Sequence, residues 1–192
     1  MKTGIISDGS AEAIALEHLV VKMKCGGFTP LRPVYADMQP YAPPAQIVKA
    51  AESRIKMLSQ RGAQRHIVLL DREENKECPG EFSTKLSLEF ENKGYSNVSV
   101  VLKDRAFENW LVADLAAVAK SYGKRGSFAD RIIDRVRHSG ADRVNAIAIL
   151  NGGIADGYSK RSDAITICKA VSPEEVAKYS RSFRKFMKEC GI

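Results

Sequence analysis

The chain has 192 residues, of which 44% are hydrophobic and 28% charged, and its formal net charge is +7. This length is enough for one domain with a core that needs no disulfide or structural metal. The four cysteines form no C-x-x-C pair and stand at no zinc-finger spacing from a histidine, so we expect reduced thiols and a cytoplasmic protein. The N-terminus lacks an apolar signal-peptide core and no apolar run has membrane-spanning length, which argues against secretion and membrane insertion.

The positive charge is unevenly distributed along the chain. Residues 1–119 contain 15 basic and 15 acidic residues, whereas residues 120–192 contain 15 basic and 8 acidic residues, a difference of 7. Such an asymmetry is typical of a protein with a polyanionic partner such as nucleic acid, because Lys and Arg neutralise phosphates. An ordinary basic surface is the alternative interpretation.

The first predicted unit is a buried strand over residues 4–7, followed by a helix that Ser10 can cap and that residues 26–27, two glycines, would end. Asp8 then stands at the carboxyl end of the strand, and Glu12 lies in the first helical turn. Glu12 has two interpretations. It either stabilises the positive end of the helix dipole or approaches acidic residues that follow a later strand.

The next predicted elements lead to the most informative strand. Residues 31–36 favour a second strand, and Pro33 within it indicates an edge position. A helix is predicted from about residue 45 to residue 60. Residues 67–70, Ile-Val-Leu-Leu, then form a short apolar run that is typical of a strand buried on both faces.

Acidic residues follow this buried strand directly. Parallel sheets bind ligands just outside the carboxyl ends of their strands. Asp71 and Glu73, spaced i, i+2 at such a point, could turn toward one cation, and carboxylate oxygens are natural ligands of Mg²⁺. The alternative is that Asp71 caps the next element while Glu73 and Glu74 are solvated. The residues of this stretch alone do not decide between the two.

The order of the remaining elements predicts the fold class. A helix over about residues 82–90 and a strand over residues 98–102 complete a βαβαβαβ order. This order is typical of an α/β fold with a mostly parallel, four-stranded sheet flanked by helices. A further helix starts near Phe107, with Trp110 in the core. Glu108 then either belongs to a site at the same sheet edge or only stabilises the first turn of that helix, as for Glu12.

The strand–helix alternation stops after Lys120. Amphipathic or capped segments predict helices over residues 128–136 and 162–170, and a single last helix that begins at the capping box of residues 172–175. Residues 144–150 fit either a helix or a strand. We therefore expect an α/β domain over residues 1–119 and a basic helical extension over residues 120–192, packed on that domain.

Several motifs are absent from the sequence. It contains neither G-x-x-x-x-G-K-[ST] nor G-x-G-x-x-G, which disfavours ATP hydrolysis and dinucleotide binding by this chain. The three histidines stand in helix-like or strand-like contexts, so we expect them to be structural.

The acidic strand ends, together with about four βα units, resemble the Toprim domain of topoisomerases, primases and overcoming-lysogenization-defect (OLD) nucleases. Residues 8–12, DGSAE, resemble the E-G-x-[ST]-E opening of the OLD branch. Residues 107–114, FENWLVAD, resemble the F-E-x-W-L-x-A-D segment of a small bacterial Toprim-like family of uncharacterised function. Residues 158–160 and 182–186, YSK and SFRKF, resemble the tail of that family.

This resemblance implies a Mg²⁺- or Mn²⁺-dependent nuclease. The implied catalytic residues are Asp8, Glu12, Asp71 and Glu73. The implied metal ligands are Asp8, Asp71, Glu73 and Glu108. By this resemblance Asp71 and Glu73 would hold the cation, and Asp8 with Glu12 would bind a second metal or act as the general base. Asp8 stands where Toprim proteins usually have Glu, and Glu73 stands where a second Asp is usual, so both positions keep a carboxylate but with a different reach.

The resemblance also implies partners. Members of the family are often encoded beside ABC-type ATPases in mobile-element and phage-defence settings, so an ABC/OLD-type ATPase is an expected partner. We expect DNA or RNA to contact a basic set in the C-terminal part: Lys160, Arg161, Arg181, Arg184 and Lys185. The sequence does not decide the oligomeric state, and a homo-oligomer is one of the alternatives.

Two other functions compete with a nuclease. The first is a binding or regulatory subunit of an ATPase complex, with a degenerate Toprim-like site. The second is a phosphohydrolase or receiver-like phosphoacceptor that uses Asp71 as nucleophile. Against the second stands the apparent lack of a lysine at the end of a fifth strand.

Overall fold

A computed structural model describes residues 1–23, 27–73 and 75–192 of the chain. Within these ranges five strands form one sheet in the order β2-β1-β4-β5, with β3 also paired to β1, and every strand pair is parallel. The strands are β1 (Lys2–Ser7), β2 (Thr29–Pro30), β3 (Val34–Tyr35), β4 (Arg65–Asp71) and β5 (Val98–Lys103).

Helices flank the sheet and make up most of the C-terminal part. They are α1 (Ser10–Val20), α2 (Pro44–Gln60), α3 (Pro79–Asn92), α4 (Glu108–Leu111), α5 (Leu115–Tyr122), α6 (Asp130–Ser139), α7 (Ala146–Gly153), α8 (Asp163–Ala170), α9 (Pro173–Tyr179) and α10 (Arg181–Cys190). In the described ranges, no helix has both the length and the apolar character that crossing a membrane requires.

The predicted α/β class with a parallel sheet is confirmed, with one difference in strand number. The strand predicted over residues 31–36 is replaced by two short strands, β2 and β3, so the described sheet has five strands rather than four. Pro33 lies between them and has no backbone N–H to donate to the sheet. Both short strands pair only with β1 among the described strands, which confirms the edge position.

The start of α1 also differs from the sequence prediction. Gly9 occupies the N-cap position and Ser10 is already the first helical residue, so the expected side-chain cap by Ser10 is wrong. The helix ends at Val20, and the expected end at residues 26–27 falls partly outside the described residues, because Gly26 is not among them.

The central strand β4 is buried on both faces, as its apolar run predicts. Ile67 and Leu69 pack with α1 and the C-terminal helices, whereas Val68 and Leu70 pack with α2 and α3. Because β1, β4 and β5 are parallel neighbours, their carboxyl ends lie at one edge of the sheet. The register pairs Asp71 at the end of β4 with Lys103 at the end of β5.

The C-terminal helices share the core of the first face. Trp110, which is fully buried, lies edge-on to Phe183 at 5.0 Å and stacks on Phe186 at 5.4 Å between ring centroids. Its Nε1 donates a hydrogen bond of 2.7 Å to Ser182 Oγ. This aromatic cluster joins α4 to α10, so apolar contacts cross residue 119. The division of the chain at that residue stays a prediction.

The predicted single C-terminal helix is two helices, and the ambiguous segment around residues 144–150 is helical. Ser180 has extended backbone between α9 and α10, and its Oγ accepts a hydrogen bond from Phe183 N at 3.1 Å. The buried carboxylate of Asp142 accepts hydrogen bonds from Ser180 Oγ and Arg181 N, both at 2.7 Å. A carboxylate from a distant turn therefore caps α10.

We expect Asp142→Ala to lower the free energy of unfolding by about 2 kcal/mol, because buried donors at the start of α10 lose a charged acceptor. Urea unfolding followed by circular dichroism would measure this change. Asp134→Ala, at an exposed position on α6, is the matched control and should change stability little. Equal effects of the two substitutions would contradict the capping role of Asp142.

Candidate functional site

The carboxyl ends of the strands bring three predicted acidic residues together. Oxygens of Asp8, Glu12 and Asp71 all lie within 4.8 Å of one another. Asp8 follows β1, Glu12 lies in the first turn of α1, and Asp71 ends β4, which pairs directly with β1. The proximity expected from a parallel sheet is confirmed.

The centre of this acidic cluster is occupied by the ammonium group of Lys103. The last residue of β5, Lys103 is fully buried. Its Nζ lies 2.7 Å from Asp8 Oδ1, 2.6 Å from each carboxylate oxygen of Glu12 and 2.9 Å from Asp71 Oδ1. The contact to Asp71 is an ion pair outside hydrogen-bond geometry.

Sequence reasoning missed Lys103 as a site residue. The available signal was its position, directly after the apolar run of residues 98–102 and therefore at the same sheet edge as Asp8 and Asp71. This finding also corrects the objection to a receiver-like phosphoacceptor. A lysine does end the last strand of the sheet, and it contacts Asp71.

Burial and mutual repulsion shift the pKa values in the cluster. Burial, with smaller contributions from Asp71 and Asp8, raises the pKa of Glu12 to about 8, although the ammonium of Lys103 opposes this rise. Burial also raises the pKa of Asp71, against the effect of Lys103. Burial by itself would lower the pKa of Lys103, but the three carboxylates outweigh it and hold that pKa well above its usual value.

Asp8 and Glu12 direct their oxygens into the protein. Asp8 Oδ2 accepts a hydrogen bond of 2.6 Å from the backbone N–H of Asp71, while its Oδ1 faces Lys103. Both oxygens of Glu12, a fully buried side chain, face Lys103. Asp71 differs, because its side chain is 11% exposed and lines a cleft.

This cleft lies beside the cluster and has a volume of about 530 Å³. Its charged lining consists of Asp71, Glu73, Glu108, Arg105 and Lys160. Acidic and basic side chains therefore converge on one concave surface, which is typical of sites that bind a phosphorylated ligand.

Glu108 contributes an unsatisfied carboxylate oxygen to the cleft wall. The residue is 1% exposed. Its Oε1 accepts a hydrogen bond of 3.3 Å from the Tyr158 hydroxyl and lies 3.4 Å from Lys160 Nζ. Its Oε2 is buried and has no hydrogen-bond partner among the described residues. A buried carboxylate oxygen without a partner is costly, and a ligand cation would remove this cost.

Lys160 interacts electrostatically with two of the three carboxylates that line the cleft, Glu108 and Asp71. Burial lowers its pKa, but Glu108 and then Asp71 outweigh this effect, so the pKa of Lys160 is raised. The ammonium stays charged at neutral pH and can meet a phosphate oxygen.

Glu73 lies at the rim of the cleft on strained backbone. Its φ of 50° and the φ of 73° at Arg105 are in the left-handed region, which residues other than glycine rarely adopt. The two loops are joined, since Glu73 N donates a hydrogen bond of 2.6 Å to Arg105 O. Strained residues of this kind are concentrated at functional sites. Glu74 lies outside the described residues.

The predicted nucleic-acid contacts do not share one surface. Lys160 lines the cleft, and Arg161 follows it at an exposed position. On α10, Arg184 Nη1 donates to two carbonyl oxygens at the end of α9, and Lys185 Nζ donates a 3.1 Å hydrogen bond to Ser83 Oγ. Arg181 is exposed at the start of α10. None of these three α10 residues is part of the described cleft lining.

Fold and site together define an all-parallel α/β protein with an acidic, lysine-centred cluster at the carboxyl edge of its sheet. Residues 28–189 match the family model of a domain of unknown function, DUF4276, so the chain belongs to that family. No curated protein matches the chain.

A solved structure described as the C-terminal region of the Burkholderia pseudomallei OLD protein aligns with 98% of this chain and 96% of its own. The TM-score is 0.46 and the sequence identity is 12%. These values are too low to transfer an activity, a metal or a partner to this chain.

The raised pKa of Glu12 predicts a pH dependence of stability. Folded protein keeps this proton up to about pH 8, whereas the unfolded chain releases it near the ordinary value of 4.5. The folded state therefore binds more protons in this window, and the contribution of Glu12 to the free energy of unfolding falls as pH rises from 4.5 to 8.

Glu12→Gln removes this titration, so the free energy of unfolding of the wild type minus that of the variant should decrease between these pH values. Urea unfolding at several pH values would measure it, with Glu91→Gln, exposed on α3, as the control. A difference that stays constant over this range would show that folded protein releases the proton of Glu12 at or below its ordinary pKa.

Proposed function

We propose that this protein is a metal-dependent hydrolase of phosphodiester bonds that acts on DNA or RNA. The observation that carries the proposal is Glu108 Oε2, which has no hydrogen-bond partner among the described residues and is buried in a cleft that Asp71 also lines. The same cleft presents Lys160 and Arg105, which can meet phosphate oxygens. A cation site and a phosphate site are thus adjacent.

The side chains of the cleft fit a hard divalent cation. Its charged metal-ligand atoms are the carboxylate oxygens of Asp71, Glu73 and Glu108, and no described cysteine or histidine lines it. This set of ligands favours Mg²⁺ or Mn²⁺ over softer metals. Asp71 and Glu108 would hold the cation, with Glu73 at the rim. When bound, such a cation supplies an activated water and offsets charge on the phosphodiester.

The other charged residues position the carboxylates and neutralise the charge of the phosphate. Lys103 holds Asp71 and Asp8 in fixed places. We assign Asp8 and Glu12 to positioning rather than to direct contact with substrate, because their four oxygens face Lys103 or the backbone N–H of Asp71. Lys160 and Arg105 orient the phosphate over the carboxylates.

The partners are part of the proposal. The basic surplus of residues 120–192 supports a nucleic-acid substrate. An ABC/OLD-type ATPase, a defence or mobile-element setting and a cytoplasmic location rest on the sequence resemblance and the reduced cysteines. Cys78 and Cys168, two of the described cysteines, form no disulfide. The division into a domain of residues 1–119 and a basic extension of residues 120–192 is likewise a proposal.

A second candidate is a regulatory or binding subunit whose site no longer catalyses. The observation that favours it is Lys103, because a buried ammonium neutralises acids that would otherwise be free to bind metal. The two candidates differ in whether the cleft binds a cation and whether the protein cleaves nucleic acid.

A cleavage assay tests the nuclease proposal. Supercoiled plasmid, single-stranded DNA and structured RNA are each incubated with the protein in EDTA, Mg²⁺ or Mn²⁺. We expect cleavage only with metal, and a loss of at least about 100-fold in Asp71→Asn and in Glu108→Gln, because each removes a charged ligand. Glu91→Gln is the matched control and should keep full activity.

Two results would count against this proposal. Cleavage that Asp71→Asn and Glu108→Gln both retain would assign the activity to another site or to a contaminant. Failure of the wild type to cleave any substrate in either metal would favour the regulatory subunit.

A further inference from the structure

We infer that the site takes one divalent cation per chain, not two, because the ammonium group of Lys103 permanently occupies the position of a second cation. This inference rests on the proposed function, since it concerns the metal count of the same site. It assigns to Lys103 the role of a built-in cation.

The first argument is the geometry of the acidic cluster. Asp8, Glu12 and Asp71 are the group of described residues whose oxygens converge as metal ligands would. The ammonium lies between 2.6 and 2.9 Å from an oxygen of each of them. Mg²⁺ needs oxygens at roughly 2.0–2.1 Å. A metal ion bound by these oxygens would therefore be in contact with a like charge.

The second argument is that the ammonium group of Lys103 cannot leave the cluster without a cost in free energy. Its backbone belongs to β5 and is paired with Asp71 of β4. The side chain is fully buried, and its Nζ lies 6.0 Å from the centre of the Phe107 ring. Moving the ammonium aside would leave a buried charge unpaired, which is far less favourable than the present arrangement.

The third argument is where free carboxylate oxygens remain. All four oxygens of Asp8 and Glu12 are engaged. Within the part of the chain that the structure describes, Glu108 Oε2 is buried without a hydrogen-bond partner, and Asp71 reaches the cleft surface. Ligand capacity for a divalent cation therefore exists on the cleft side of Asp71, whereas the opposite side is filled by Lys103.

The test is a count of bound metal on the full-length chain. After treatment with EDTA and its removal, Mn²⁺ is titrated into the protein, and binding is followed by isothermal titration calorimetry and by the electron paramagnetic resonance signal of free Mn²⁺. We expect one Mn²⁺ per chain. Glu108→Gln should weaken this binding at least about tenfold, because a ligand charge is lost.

The count separates the two proposals. Two Mn²⁺ per wild-type chain would overturn the inference and leave the metal-dependent function intact. No bound Mn²⁺ would overturn the metal-dependent function, and the inference with it.

Lys103→Met provides the direct variant, since it keeps an apolar stem and removes the ammonium. We expect it to bind two Mn²⁺ per chain, with a Mn²⁺-dependent rise in melting temperature larger than that of the wild type. A single Mn²⁺ in folded Lys103→Met would overturn the inference.

A second variant keeps the inference testable if Lys103→Met does not fold. Lys103→Arg keeps a cation among the three acidic side chains, so it should bind one Mn²⁺ per chain, as the wild type does. Two bound Mn²⁺ in Lys103→Arg would overturn the inference.

Discussion

The structure depends on one buried polar cluster in which a single ammonium group contacts three acidic side chains. Lys103 connects the end of β5 to the end of β4 through Asp71, and to the β1–α1 turn through Asp8 and Glu12. Removing one member of a buried ionic cluster leaves its partners uncompensated, so such clusters are sensitive to single changes. Here the cluster also fixes which oxygens can face the cleft. The ion pair with Lys103 fixes the position of Asp71. The chemistry of the cleft depends on that position.

Much of the fold could be predicted from apolar periodicity and the order of elements. The apolar run of residues 67–70 predicts a strand, and apolar residues at helical spacing predict the helices. A parallel sheet then requires Asp8 and Asp71 to lie at one edge. The role of Lys103 could not be predicted in the same way, because a lysine is almost never fully buried and a single charged residue after a strand is normally solvated. The cap of α10 by Asp142 was also beyond local reasoning, since 38 residues separate it from Ser180.

The basic C-terminal part shows how a charge count can mislead about surfaces. Lys185 donates a hydrogen bond to Ser83 of α3, and Arg184 donates to carbonyl groups at the end of α9. Arg65 pairs with Glu189 of α10 at the opposite end of the sheet from the cleft. Some of the positive charge therefore serves packing between helices and sheet. Lys160 and Arg105 differ because they line the cleft, so the local arrangement of charge is more informative than its sum.

The place of β1 in the sheet has a consequence for how this family can be divided into fragments. The family match begins at residue 28, yet β1 pairs with β2, β3 and β4 and thus joins the two sides of the sheet. A fragment cut at residue 28 would lack this strand and would leave one backbone edge of β4 unpaired. Such an edge is a template for pairing with other chains. Strand β1 therefore belongs to the folding unit, and expression of the matched segment alone would yield a sheet prone to aggregation.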